Sequence, residues 1–209
     1  MRAAQTELFP EELDSHWQLA GGELQLIRDF LPGPVHRTLF EQLSANLAWE
    51  QTRIRMAGKL IPIPRLNAWY GEDGAAYRYS GTRFQALPWA DPLIRIRELI
   101  EQRCGHSFNS VLANLYRDGQ DSVAWHADDE PELGRDPFIA SLSLGQQRRF
   151  QLKHRRDKSI HRIDIELPDN SLLLMGGALQ HHWLHQVPKT RKPIGPRINL
   201  TFRWIEPLR

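Results

Sequence analysis

His126-Ala127-Asp128 sets an imidazole two residues before a carboxylate. Side chains two apart along a strand share a face, so the pair can converge on one cation. Two donors hold a metal weakly, and a third is expected further along the chain. His181, His182 and His185, in QHHWLHQVP, are the candidates. Two imidazoles and one carboxylate on one side of a metal leave its other positions open, the donor set of a non-haem Fe(II) centre. Taken alone, the pair better suits an acidic surface turn, because Asp129, Glu130 and Glu132 follow it.

A second pattern lies near the C-terminus, in PRINLTFRWI. Arg197 and Arg203 are six apart, so on a strand both face away from Ile198, Leu200 and Phe202. Asn199 shares their side. Two guanidiniums on an inward face are costly unless an anion meets them. That anion is either a protein carboxylate near Asp128 or a bound dicarboxylate, whose shape suits arginine. Asn114 and Tyr116, in ANLYRDG, also share a strand face and end just before His126.

With NLYRDGQDSVAWHADDE, HWLHQVP and PRINLTFR in this order, the chain resembles the AlkB-type Fe(II)/2-oxoglutarate dioxygenases. It is most similar to the branch that includes the animal enzymes repairing alkylated DNA and RNA. The resemblance runs from Trp49 to Trp204 and is densest after Phe108. It implies a double-stranded β-helix, and Fe(II), 2-oxoglutarate and O2 as cofactors. It implies that His126, Asp128 and His185 bind iron; His185 precedes QVP and stands twelve before Arg197, as the family's third ligand does. Asn114, Tyr116 and Arg197 would hold the far carboxylate of 2-oxoglutarate. Asn199 and Arg203 would lie near its chelating end, with Arg203 counted in the catalytic set. Asp129 would orient Arg203 or a neighbour, Glu130 would approach a substrate base, and Glu132 would be solvated.

The implied reaction is oxidative demethylation of bases such as N1-methyladenine or N3-methylcytosine, releasing formaldehyde. Such a base must be flipped out or already single-stranded to enter a pocket. IPIPRLNAWYGEDGAAYRYSG interleaves Arg65, Trp69, Tyr70, Tyr77, Arg78 and Tyr79, which reads as a stacking and phosphate-binding lid. Tyr70 matches the family's base-contacting tyrosine; Trp69 is the alternative. Upstream, RIRMAGKLIP lacks an aromatic wedge and offers Met56 instead. The expected substrate is therefore single-stranded or locally opened DNA, or RNA. Lys189 and Arg191, beside Lys192, and the run RRFQLKHRRDKSIHR, with seven Lys/Arg against one Asp, are the candidate phosphate contacts. Two other functions compete. One is oxidation of a protein or lipid substrate with the same cofactors; the other is a non-catalytic nucleic-acid-binding jelly roll.

The elements that must position these residues are legible too. A chain of 209 residues with 41% hydrophobic and 25% charged residues builds one good-sized core. PVHRTLFEQLSANLAW places Val35, Leu39, Leu43 and Leu47 at helical spacing, and PLIRIRELIEQRCG predicts a second helix stopped by Gly105. Short strands with turn signals follow Phe108, the pattern of a jelly roll. The fold class is α+β, a double-stranded β-helix with N-terminal helices packed on it. Residues 1–20 read as an arm and 21–209 as one dioxygenase domain, with helices and lid over 21–107 and catalytic core over 108–209. The single cysteine, Cys104, excludes an internal disulfide and a multi-cysteine zinc site. No signal peptide or membrane span is visible, so a cytoplasmic monomer is expected. The net charge of +2 does not announce a nucleic-acid binder.

Overall fold

The computed structural model describes residues 14–56, 58–73, 76–79 and 82–206. From Ser110 onwards the chain passes back and forth between two facing sheets. Strands β8 (Ser110–Tyr116), β10 (Ile139–Gly145), β13 (Ser171–Gly177) and β15 (Arg197–Arg203) lie in a seven-stranded sheet. Strands β9 (Val123–His126), β11 (Arg148–His154), β12 (Ile163–Leu167) and β14 (Trp183–Val187) form a four-stranded one. Every pairing between these strands is antiparallel. This is the expected double-stranded β-helix.

The larger sheet runs β1-β2-β13-β10-β15-β8-β5. Its outer face carries Val111, Ala113, Leu142, Leu144, Ile198, Leu200 and Phe202, all fully buried. Against them pack α1 (Gly33–Asn46), through Leu39 and Leu43, and α2 (Asp91–Cys104), through Leu93, Ile96 and Ile100. Gly105 closes α2 in the left-handed conformation at φ 71°, where a side chain would be strained. Val35 departs from the predicted stripe: in the first turn of α1 it stays 41% exposed, while Leu39, Leu43 and Leu47 are buried.

Between the sheets, Leu24, Leu26, Leu173 and Met175 meet Phe150, Leu152, Ile165 and Val187. Strand β15 is buried at every position because helices cover one face and the second sheet the other. Among the described residues, no helix is long and apolar enough to cross a membrane.

Two parts of the N-terminal half differ from the sequence reading. Asp14–Leu19, read as arm, is strand β1, paired along its length with β2 (Gly22–Ile27). Its alternation explains this: Trp17 and Leu19 pack on the inter-sheet core while His16 and Gln18 face outwards. Residues 1–13 lie outside the described residues. In the segment read as hairpins and loops, β3 (Arg53–Met56) and β4 (Lys59–Pro62) do form a hairpin, as do β6 (Ala76–Tyr79) and β7 (Thr82–Gln85). Between them, however, β5 (Leu66–Gly71) is the edge strand of the main sheet, in register with β8.

Gly145 ends β10 at φ 83°, and a Cβ there would lie 2.7 Å from Phe40 and 2.8 Å from the Pro196 carbonyl. Gly145→Ala should cost about 2 kcal/mol or more, lowering the melting temperature by roughly 5 °C. Thermal unfolding followed by circular dichroism checks this.

Candidate active site

The cavity between the sheets is polar where it meets β9, β14 and β15. His126 ends β9, and His185 sits directly opposite it on β14. Their rings are 4.2 Å apart, edge to face. Asp128 lies just past the strand end, its Oδ1 3.8 Å from His126 Nε2. The donor atoms of all three residues fall within 4.8 Å of one another.

Each donor is held with its lone pair available. His126 Nδ1 donates to the Ala124 carbonyl at 2.8 Å, which leaves Nε2 unprotonated in the neutral ring. Burial pushes the His185 imidazole down to about 3, with His126 adding to the effect, so it is neutral near pH 7. Burial alone would raise the Asp128 carboxyl. Arg203, with both imidazoles, instead holds it well below the usual carboxylate range. Arg203 Nη2 donates to Asp128 Oδ2 at 2.8 Å, and Gln180 Oε1 accepts the Asp128 backbone N–H at 3.1 Å. Two imidazoles and a carboxylate on one side of a point suit Fe(II). His181 and His182 stand apart: His181 Nε2 bonds the Arg135 carbonyl, and the His182 ring stacks near His154.

Register brings the second group together. Arg197 lies opposite Tyr116, and Asn199 opposite Asn114, across β15 and β8. Arg197 is 1% exposed, and its Nη2 donates to Ser143 Oγ at 2.9 Å. Its Nε and Nη1 have no hydrogen-bond partner, although both are buried. Burial lowers its pKa to about 10, which leaves it charged at neutral pH. A buried guanidinium with two unused donors fits the carboxylate of 2-oxoglutarate. The two arginines thus differ: Arg203 pairs with a protein carboxylate, and Arg197 pairs with none among the described residues. Asn199 is engaged by the protein at both ends of its amide, by Ser141 Oγ, the Leu142 carbonyl and Thr201 Oγ1.

Several lid residues take different places from those expected. Tyr70 points away from the cavity into the helical core, where its hydroxyl accepts the Ala48 N–H at 2.9 Å. Neighbours on a strand face opposite ways, so it is Trp69 that lines the cavity. Arg65 is not a surface phosphate contact: it is 8% exposed, and its Nε donates to Asn114 Oδ1 at 2.8 Å. That bond engages the amide oxygen of Asn114, which also lines the cavity. Asp129 pairs with Arg155 at 2.6 Å rather than with Arg203. Glu130 leads into the turn Pro131–Leu133 and is not among the cavity-lining residues. Lys189 and Arg191 are exposed on the loop between β14 and β15. Of the basic run, Arg149 and Arg162 pair with Asp164, Arg155 is taken by Asp129, and Arg148 is buried. Met56 falls in β3 and Tyr77, Arg78 and Tyr79 in β6, with side chains outside the described residues.

Sequence reasoning missed Gln180, Ser141, Ser143 and Arg148. The serines alternate along β10, a readable signal, and Arg148 has the parity of Phe150 and Leu152 on β11. Gln180 sits on a four-residue helix, Leu179–His182, and had no periodic signal.

Fold and donor set together define a jelly-roll protein with a two-histidine, one-carboxylate metal face. The sequence profile of the 2OG-Fe(II) oxygenase superfamily matches residues 23–203. The alpha-ketoglutarate-dependent dioxygenase alkB homolog 3 of Bos taurus is 43% identical over 178 residues, covering 81% of this chain and 62% of that protein. The DNA oxidative demethylase ALKBH2 of Homo sapiens is 40% identical over 176 residues, covering 80% of this chain and 67% of that protein. A solved structure titled "The structure of OsALKBH1" shares the fold at a TM-score of 0.60 and 18% identity, covering 91% of this chain and 100% of that one. The chain belongs to the AlkB-type branch of the 2OG-Fe(II) oxygenase superfamily. It spans about three fifths of the length of the Bos taurus relative, 62%.

Asp128→Ala and His185→Ala should each abolish stoichiometric Mn(II) binding, measured by calorimetry. His181→Ala and His182→Ala should leave the affinity within about twofold, because neither ring reaches the donor face.

Proposed function

We propose that this protein is an Fe(II)/2-oxoglutarate-dependent dioxygenase that removes N-alkyl groups from bases such as N1-methyladenine and N3-methylcytosine. The observation that carries the reading is one cavity holding His126, Asp128 and His185, the ligand-ready Arg197, and the flat wall of Trp69. The two named relatives, an alkB homolog 3 and a DNA oxidative demethylase, support the same substrate class.

When bound, iron with 2-oxoglutarate and O2 supplies the oxidation that inserts oxygen into the N-methyl C–H bond, with succinate and CO2 as co-products. The protein's own share is placement. Arg203 fixes Asp128. Arg197, Asn114 and Tyr116 would hold the far carboxylate. Trp69 gives the base an apolar surface, and Leu112, Phe150, Met175 and Val187 exclude water from the cavity. Loss of formaldehyde from the hydroxymethyl product needs no further protein group.

The substrate strand is single or locally opened, in DNA or RNA. The β3–β4 hairpin supports local opening: Leu60 and Ile61 are 55% and 40% exposed, between exposed Arg53, Arg55 and Lys59. Lys189 and Arg191 would meet phosphates beside the mouth. We place the enzyme in the cytoplasm as a monomer; its one cysteine, Cys104, is free, which suits a reducing compartment.

The direct test is anaerobic iron loading, then turnover of a single-stranded oligonucleotide carrying one N1-methyladenine, read by mass spectrometry. Wild type should remove one methyl group with equimolar succinate, and Asp128→Ala should remove none. Succinate without demethylation points to a protein or lipid substrate. Oligonucleotide binding without metal binding points to a non-catalytic module. In binding titrations, the double variant Lys189→Ala/Arg191→Ala should lower the slope of log affinity against log salt by about 2. Trp69→Ala should raise the oligonucleotide KM by roughly tenfold, consistent with stacking of about 1–3 kcal/mol, while Tyr70→Phe leaves it unchanged.

A further inference from the structure

Arg148 opens β11 as an arginine facing inwards, on the same side as Phe150 and Leu152, and it is 3% exposed. Its guanidinium donates to three backbone carbonyls from two loops. Asp118 and Asp121, in the β8–β9 loop, accept at 3.2 and 2.8 Å; Pro188, at the head of the β14–β15 loop, accepts at 2.9 Å. The guanidinium carbon lies 5.4 Å from the centre of the Tyr116 ring, and that of Arg197 lies 5.1 Å from the same centre. Two buried cations therefore share one tyrosine. Of the two carboxylates in that loop, Asp121 is held at both oxygens by Arg117, at 2.7 and 2.9 Å. Burial lowers the pKa of Arg148 as it does that of Arg197. Asp118 and Asp121 act against the charge of Arg148, whereas no described carboxylate pairs with Arg197, whose Nε and Nη1 have no hydrogen-bond partner.

The two loops that Arg148 holds also touch each other. Thr190 donates its N–H to the Gly119 carbonyl at 2.8 Å. A Cβ on Gly119 would come within 2.6 Å of the Thr190 carbonyl, so the contact demands glycine. Lys189 and Arg191 ride on this loop.

We propose that Arg148 is a positioning residue that selects a dianionic 2-oxo acid and ties occupancy of that subsite to the placement of the Pro188–Pro196 loop. The proposal rests on the cofactor reading above. An anion on Arg197 relieves the repulsion between the two guanidiniums, so Arg148 keeps its hold on the Pro188 carbonyl and the loop stays docked. Linkage makes the effect mutual: a docked loop favours the anion as much as the anion favours the docked loop.

The test uses the full chain with Mn(II) in place of iron and needs no nucleic acid. Calorimetry compares 2-oxoglutarate with 2-oxopentanoate, the five-carbon monoanion that lacks the far carboxylate. Arg148→Met should weaken 2-oxoglutarate by about tenfold or more and leave 2-oxopentanoate within about twofold. Limited trypsinolysis reports the loop: 2-oxoglutarate should protect the bonds after Lys189 and Arg191 in wild type. Arg148→Lys keeps the charge but cannot reach three carbonyls from one plane. It should retain the preference for the dianion and lose the protection, and it provides a test even where Arg148→Met fails to fold. Equal weakening of both acids in Arg148→Met, or full protection in Arg148→Lys, would overturn the proposal alone. A wild type that binds no 2-oxoglutarate would sink the cofactor reading together with it.

Discussion

Arg203 and Asp128 form an ion pair 2.8 Å long between side chains that are almost wholly buried. Taking both charges out of water costs several kcal/mol each, and their attraction repays this only when geometry and further hydrogen bonds are good. The surrounding structure meets that condition. Gln180 takes the Asp128 backbone N–H, β15 is buried along its whole length, and two imidazoles face the remaining carboxylate oxygen. The ion pair therefore does more than stabilise: it keeps Asp128 ionised inside an apolar sandwich, which a metal face requires.

Six residues earlier on the same strand, Arg197 meets the opposite condition. It is equally buried, but no described carboxylate pairs with it. A protein tolerates such a group where a ligand completes it. One strand thus carries a finished ion pair at one end and an unfinished one at the other. The distance along β15 between them sets how far Arg197 stands from the His126–Asp128–His185 group. The helices on the far side of the sheet contribute by holding Ile198, Leu200 and Phe202, which fixes the strand and with it the spacing of the two arginines.

The cavity wall on the β5 side is built on a different logic. Arg65 leaves the surface to bond Asn114, and Trp69 rather than Tyr70 faces inwards because β5 joins the main sheet in register with β8. The polar part of the cavity is thus braced from two sides, by Arg65 beside β5 and by Arg148 at the loops. The charges left at the surface, Lys189 and Arg191, sit on a loop that is anchored internally.

Much of this was legible in the residues alone. Period-two alternation placed Arg197, Asn199 and Arg203 together, helical spacing located α1 and α2, and linked motifs pointed to the clustered His126, Asp128 and His185 and to the jelly roll. These are local patterns, and local geometry carries them. Tertiary structure decided what parity and motif cannot express. Whether Tyr70 or Trp69 faces the cavity depends on which sheet edge β5 joins, a long-range pairing. Whether Arg148 and Arg65 are solvated or buried depends on carbonyls and an amide brought from 27 to 57 positions away. Sequence specifies the charge a residue carries; only the packed chain specifies which partner, if any, that charge meets.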